Sequence, residues 1–300
     1  MVRNKSFGSV TFDVVNYIFL ALVALVCLYP FWHVLASSFS DPVRLSAHTG
    51  ALLWPTGYSL DGYRLVMRNP NVWRGYANTL FYVGMGTFIR MTLTIMGAYV
   101  LSRRYFLLRK PMMLMMVFTM YFSGGIIPEF LLFNQLGLLN TRLAVILPTA
   151  IVTWNLIILR TAFMQVPIEL EESARLDGAG DITLLFNIII PVSKASIAVI
   201  TLFYVVMQWN AWFHAMVFLR NRALHPLQLV LRDMLILGQV DAGAELGALA
   251  AQHHDGVPMI FLEELMVYSA IIFAILPVVA VYPFAQKYFV KGIMLGSIKG

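Results

Sequence analysis

Side chains able to do chemistry are sparse in this 300-residue chain, in which 60% of residues are hydrophobic and 12% are charged. Five of its fifteen acids, Glu169, Glu171, Glu172, Asp177 and Asp181, crowd into one stretch. It reads Gln165-Val166-Pro167-Ile168-Glu169-Leu170-Glu171-Glu172-Ser173-Ala174-Arg175-Leu176-Asp177-Gly178-Ala179-Gly180-Asp181. Pro167 suits a first helical position, the acids complement the positive end of the helix dipole, and Gly178 is placed to stop the helix. Glu171 and Arg175 stand four apart in the stabilising order. Asp181 then reads as the cap of a second helix through Leu184-Leu185-Phe186 to Ile190, before Pro191 opens a new apolar run. A helix of about ten residues is marginal alone in water. No other segment on that side of the chain is long enough to hold it, which leaves a soluble partner as the sharper reading and an amphipathic connector lying on its own bundle as the blander one.

The elements that must carry this stretch are apolar. Soluble domains average about 45–50% apolar and about 25% charged residues, so a mean hydropathy of +0.77 places the chain in a membrane. Lipid offers the backbone no hydrogen bonds, so a chain crosses as helices of about 20 apolar residues or as a closed barrel. The apolar runs are continuous rather than alternating and predict six helices, over 14–35, 80–101, 112–127, 143–159, 197–219 and 265–284. The segment 130–139 is too short to span and reads as interfacial or re-entrant. The first run is longer than a signal-peptide core and is read as an uncleaved helix. With the N-terminus inside, twelve Lys and Arg residues fall on the inner side and eight on the outer, the remaining one being Arg90. Both termini are therefore expected to be cytoplasmic, and the net charge of +6 reflects topology rather than a nucleic-acid surface. Two long outer connections, 36–77 and 220–264, complete the plan. The single cysteine, Cys27, excludes a disulfide framework and reads as a small core residue. His253-His254 beside Asp255 could suggest a metal site, but an exposed loop is the simpler reading and no metal is expected.

One spacing is specific. Glu172-Ser173-Ala174, three residues, Gly178, nine residues, Ile188, one residue, Ile190-Pro191 resembles the EAA loop of permease subunits in binding-protein-dependent ABC importers. That pattern is Glu-Ala-Ala, three residues, Gly, nine residues, Ile, one residue, Leu-Pro. Ser173 and Ile190 are mild departures. The ending, Tyr282-Pro283-Phe284-Ala285-Gln286-Lys287-Tyr288-Phe289-Val290-Lys291-Gly292 with Gly296-Ser297-Ile298-Lys299-Gly300, resembles the carbohydrate branch that contains the maltose permeases, and within it the oligouronate and alginate group.

The resemblance implies an all-α membrane protein with six transmembrane helices in the type I ABC importer permease fold. It would be one transmembrane domain over 1–300, with the coupling loop at 160–194, in a bacterial inner membrane. It implies a second homologous permease, two ATP-binding subunits that carry ATP and Mg, an extracytoplasmic solute-binding protein and an oligosaccharide substrate. The chain itself would hold no cofactor and catalyse no reaction. In such importers the EAA helix fits a groove on the ATPase, and the loops pass ATP-driven closure on as rocking of the two permeases. Carried onto this sequence, the coupling residues are Glu171, Glu172, Ser173, Ala174, Arg175, Asp177, Gly178 and Pro191, with Glu172 and Arg175 placed to meet the ATPase.

Polar residues inside the apolar runs are the candidates for a substrate path. Arg90 sits near the middle of the second run, where a charge costs at least about 2.5–3.5 kcal/mol and must face a partner or a watery cavity. It is either an electropositive element in the path of an acidic sugar or an arginine paired with carbonyls or acids between helices. Tyr204, Gln208, Trp209 and Asn210 in the fifth run, Trp154 and Asn155 in the fourth, and Tyr121 at the end of the third supply the flat faces and hydroxyl-binding groups of a sugar site. They serve equally as aromatic belts and helix–helix contacts. Tyr204 and Gln208 share a helical face, whereas Gln208 and Asn210 do not.

Two other function classes compete. An ion-coupled transporter of small solutes usually needs acids within its spans, and these runs contain none before Glu263–Glu264. An intramembrane enzyme would need a motif such as HExxH or GxSxG, and a nucleotide-binding subunit a P-loop; the sequence contains none of them. A neutral, maltose-type sugar remains the alternative substrate.

Overall fold

In a computed structural model of the protein, the described residues are 7–234, 253–254 and 257–297. Their helices, in chain order, are α1 (Phe7–Ser38), α2 (Pro42–Ala47), α3 (Asp61–Arg68), α4 (Pro70–Ser102), α5 (Arg109–Tyr121), α6 (Ile126–Gln135), α7 (Leu143–Ile146), α8 (Thr153–Met164), α9 (Ile168–Leu176), α10 (Asp181–Leu184), α11 (Ile190–Val192), α12 (Lys194–Trp209), α13 (Phe213–Phe218), α14 (227–234) and α15 (Met259–Ser297). A π-helical turn, Leu185–Ile189, joins α10 to α11. His253–His254 pairs antiparallel with Val257–Pro258. The Gly/Ala-rich run 241–251, Asp255 and the last three residues of the C-terminal motif lie outside the described residues.

The first, second and sixth expected spans lie within α1, α4 and α15. Spans three to five are not continuous, which corrects the sequence reading. α5 and α6 meet at 114°. Gly125 turns the chain there at φ +80, a conformation that costs glycine little, and Pro128 falls in the first turn of α6, where its missing N–H is not needed. The segment read as interfacial or re-entrant, 130–139, belongs in large part to α6. Leu143–Thr149 and Thr153–Met164 meet at 55°, and Asp181–Val192 meets α12 at 85°. The fifth run breaks again after Trp209, where Asn210 ends α12. Apolarity alone does not reveal these breaks, because each bent pair taken together is apolar enough to span a membrane. Among the described residues, two unbroken helices are long and apolar enough to cross a membrane, and the three bent pairs raise that to five.

The chain divides into two compact units. One comprises described residues of Met1–Asn69 and Leu231–Leu276. In it Ala36, Leu45 and Leu52 pack with Leu265 and Tyr268, and Asp41 caps α2 by accepting from the Val43 and Arg44 N–H groups. A Cβ at Gly62 would fall 2.9 Å from the Leu265 carbonyl oxygen, so the approach of α3 to α15 there requires glycine. The apolar side chains of α1 are exposed along most of the helix, as a lipid-facing helix requires.

The other unit comprises Pro70–Val230 and Pro277–Gly300. Its core is α4 against α8 and α12, where Met91, Ala98 and Leu101 meet Leu156, Leu159, Phe163, Ile200 and Tyr204. α4 begins ten residues before the expected span because its first three turns hold the 223–227 loop. Asn78 donates to the Ala223 and His225 carbonyls at 2.8 and 3.0 Å, the Tyr82 hydroxyl donates to Leu224 at 2.8 Å, and Thr79 accepts the Leu227 N–H at 2.8 Å.

Candidate functional site

The acidic stretch folds as its spacing predicts, into α9, a turn and a second helix. Pro167 stands just before α9 rather than within it. Glu169 and Glu171 occupy its first turn and Arg175 its last. The chain leaves α9 through Gly178 at φ +83, with the Gly178 N–H bonded to the Arg175 carbonyl and the Ala179 N–H to that of Ala174. A Cβ at 178 would meet nothing within 4 Å. The backbone angle, not crowding, is what asks for glycine there.

Asp181 does not cap the second helix. Gly180 takes the capping position, and the Asp181 carboxylate accepts from Arg175 Nη2 at 2.7 Å, the Tyr105 hydroxyl at 2.9 Å and the Tyr99 hydroxyl at 3.2 Å. A cation and two phenols engage the carboxylate that would otherwise be free to cap the helix. The Tyr105 hydroxyl, together with Arg175, holds the carboxyl below its ordinary range. Arg175 also bonds Glu171 at 3.3 Å and lies 5.2 Å from the Tyr105 ring centre. It is thus engaged by its own loop, while Glu172, Ser173 and Asp177 are exposed.

The stretch also has a floor within its own chain, contrary to the expectation that nothing there is large enough to hold it. Ala174, Leu184, Leu185 and Ile189 are buried in the cluster that contains Leu101, Leu159 and Phe163. The ends of α4 and α8 supply that floor. Facing away from it are Leu176, Ile182 and Phe186, which are 89%, 75% and 61% exposed. Pro191 is exposed beside them.

Arg90 is fully buried. It donates through Nε to the Thr149 carbonyl at 2.8 Å, and through Nη2 to the Ile146 carbonyl at 3.2 Å and Thr149 Oγ1 at 2.6 Å. These are acceptors at the break before α8, so the guanidinium closes the carbonyl end of an interrupted helix. Its Nη1 is buried without a hydrogen-bond partner, on the side where a Cβ at Gly86 would lie 3.0 Å from it and 3.6 Å from Gln208. One helical turn further, Thr94 and Tyr204 share a hydrogen bond of 2.7 Å. Arg90, Tyr204 and Gln208 therefore form one buried polar row between α4 and α12. Asn155 and Trp209 are also buried, whereas Tyr121 and Trp154 are 78% and 60% exposed, and Asn210, exposed, donates back to the Val206 carbonyl. The structure does not gather these eight residues into one site.

Three features escape sequence reasoning. Tyr99, near the end of α4, and Arg103 and Tyr105, from the α4–α5 connection, join the acidic stretch, whereas the arginines at 103 and 104 read in the sequence only as a topology signal. Glu129 faces His214 at 3.8 Å in a cleft lined by Ser123, Gly124 and Gly125. Asn140, at φ 60, accepts the Arg220 and Asn221 N–H groups. Each joins residues about 70 or more apart, and no local pattern announces such pairs.

No family model matches the chain. Over 291 residues it is 41% identical to the polygalacturonan/rhamnogalacturonan transport system permease protein YtcP of Bacillus subtilis, covering 96% of this chain and 98% of that one. It is 38% identical to protein LplC of the same organism over 300 residues, covering 100% and 98%. The crystal structure of a bacterial ABC transporter involved in the import of the acidic polysaccharide alginate contains a chain with TM-score 0.83 and 33% identity, covering 95% of this chain and 98% of that one.

Two outcomes test the geometry. Arg90→Gln leaves buried carbonyls unpaired at the α7–α8 break, at a cost of about 1–3 kcal/mol each; the expected result is a lower thermal midpoint and a lower yield of folded protein, measured by fluorescence-detected size exclusion. Because the folded-state pKa of Asp181 is depressed, its contribution is present above the unfolded value of about 3.9 and is lost as pH falls through the lower folded value. Backbone exchange over 177–184 should therefore speed up at the acid end of that window, and Asp181→Asn should show the faster exchange already at neutral pH.

Proposed function

The chain belongs to the permease subunits of carbohydrate ABC importers, and on that premise we propose that it moves an acidic oligosaccharide of the uronate class across a bacterial inner membrane. It is a transport subunit, and ATP is hydrolysed by separate subunits. The relative at 41% identity is named for polygalacturonan/rhamnogalacturonan transport, and the structural neighbour at 33% identity belongs to an importer of the acidic polysaccharide alginate. The observation that carries the mechanism is the form of the segment 165–192. An anchored underside, a glycine turn and an exposed ridge of Leu176, Ile182 and Phe186 suit a knob that seats in a partner's groove. In this reading α1, α4, α15 and the three bent pairs form six spans, both termini are cytoplasmic, and the segment faces the ATPases.

Two ATP-binding subunits, a second permease and an external solute-binding protein complete the machine. ATP and Mg belong to the ATPases, and this chain needs no cofactor of its own. Glu172, Ser173 and Asp177, exposed on α9 and its end, offer polar contacts around the apolar ridge. Arg175 and Glu171 shape the knob from within, Ala174 seats it, and Pro191 marks the return toward α12. Along the path, the row Arg90, Gln208 and Tyr204 supplies positive potential and hydrogen-bonding capacity at depth, with Asn155 and Trp209 beside it. Tyr121, Trp154 and Asn210 lie toward other surfaces.

The test is ATPase activity of the assembled importer with its binding protein. Oligogalacturonides or oligoalginate should stimulate hydrolysis in a vanadate-sensitive manner, and malto-oligosaccharides of equal length should not. Equal stimulation by the neutral sugar would remove the acidic assignment. Replacing Gly178 by Val forces a β-branched residue to φ +83, a genuine outlier, and should reduce uptake about tenfold or more, given coupling energies of about 1–3 kcal/mol, with the complex still assembled. Unchanged uptake would remove the coupling role of this loop.

A further inference from the structure

The coupling segment is linked covalently to α8 through 165–167, but the peptide chain gives α9 no direct connection to α4, the central helix of its unit. Arg103 supplies one. It is 6% exposed and sits just past the end of α4, with four separate attachments. Nη1 pairs with Glu171 on α9, Nη2 reaches the Phe163 carbonyl on α8 at 3.4 Å, and Nε bonds Ser102 Oγ at 3.0 Å. The guanidinium also lies 5.0 Å from the centre of the Tyr99 ring. Glu171 is itself largely shielded, at 17% exposure. An ion pair in this setting differs from a surface pair, because separating it would leave a desolvated charge on each side. The planar fork of an arginine fixes its donors in widely spaced directions, whereas a lysine ammonium is a compact charge with rotatable donors.

We propose that Arg103, through its pair with Glu171, is a positioning residue for coupling: it locks α9 to the ends of α4 and α8 so that displacement of the coupling helix is passed to both. The proposal rests on the importer reading above and adds a residue outside the EAA pattern. Tyr105 and Asp181 brace the same joint from the exposed side through Arg175, and Arg160 Nε donates to the Leu101 carbonyl at 2.8 Å, which ties α8 to α4 directly. Without this lock, α9 would be tied to α4 by the apolar packing beneath it and by the exposed-side contacts of Tyr99, Tyr105 and Arg175 with Asp181, a softer joint than a shielded ion pair. ATP would then be hydrolysed with less substrate moved.

The experiment is the ratio of substrate transported to ATP hydrolysed by the full complex in liposomes, for Arg103→Gln, Glu171→Gln, the double variant and Arg103→Lys. Each single Gln variant should assemble in normal yield and lose about tenfold in the ratio, within the range of coupling energies for linked sites, and Arg103→Gln should keep basal hydrolysis within about twofold. The double variant should be no worse than either single one, because both remove the same contact. Arg103→Lys, which keeps the charge but not the fork, should recover part of the ratio. An unchanged ratio in both single variants, losses that add in the double variant, or failure of both single variants to assemble would overturn the proposal. A wild-type complex whose ATPase ignores every sugar would overturn the importer reading itself, and this inference with it.

Discussion

A helix interrupted inside a bilayer exposes carbonyl groups that lipid cannot satisfy, and much of this protein's architecture depends on how those groups are paired. At the break before α8 the solution is a buried guanidinium. Arg90 donates to two carbonyls and a hydroxyl of the 146–149 turn, fixing that turn against α4. The break after α5 is handled differently, by a glycine at positive φ and a proline in the next first turn. The one after α12 relies on the side-chain amide of Asn210. Arg90 and Asn210 each pair carbonyls that a bend would otherwise leave bare.

The same economy governs the other end of the unit. α9 and the helix after it are too short to persist alone, and they are held by two means at once. Apolar side chains, among them Leu184 and Ile189, fill the space beneath. Around the rim, Arg103, Glu171, Arg175 and Asp181 alternate in sign, so that every buried or half-buried charge meets its opposite. Two of the five acids in this stretch, Glu171 and Asp181, hold its shape, while Glu169, Glu172 and Asp177 are exposed. Leu176, Ile182 and Phe186 are the most exposed of its large apolar side chains. Hydrophobic contact supplies affinity for a partner without directional demands, whereas the ionic joint beneath supplies stiffness.

Two observations link these ends. Arg90 and Arg103 both lie on or just past α4, and both reach to the chain segments around α8, one at the break and one at its far terminus. α4 therefore communicates with α8 through charged, directional contacts at two levels, with the packed core of Met91, Ala98, Leu156 and Leu159 between them. Close-packed interiors transmit displacement rather than absorb it.

Composition and spacing by themselves determine that the chain lives in a membrane, which runs are helical, and that residues 168–190 form a helix, a glycine turn and a second helix. These conclusions follow from local physics: the absence of hydrogen-bonding partners in lipid, the helix dipole, and the backbone freedom of Gly178. Tertiary structure alone decides where the spans break and whom the charges serve. The sequence leaves Arg90 open between a solute and helix carbonyls, because a lone charge in an apolar run specifies a need and not the partner that meets it. Asp181 looks like a cap until Tyr105, 76 residues away in sequence, and Arg175 reach it. Arg103 looks like a topology signal until Glu171 and Phe163 arrive from other elements. An ion pair between distant segments has no period and no motif, since its energy depends on distance and dielectric that only folding establishes.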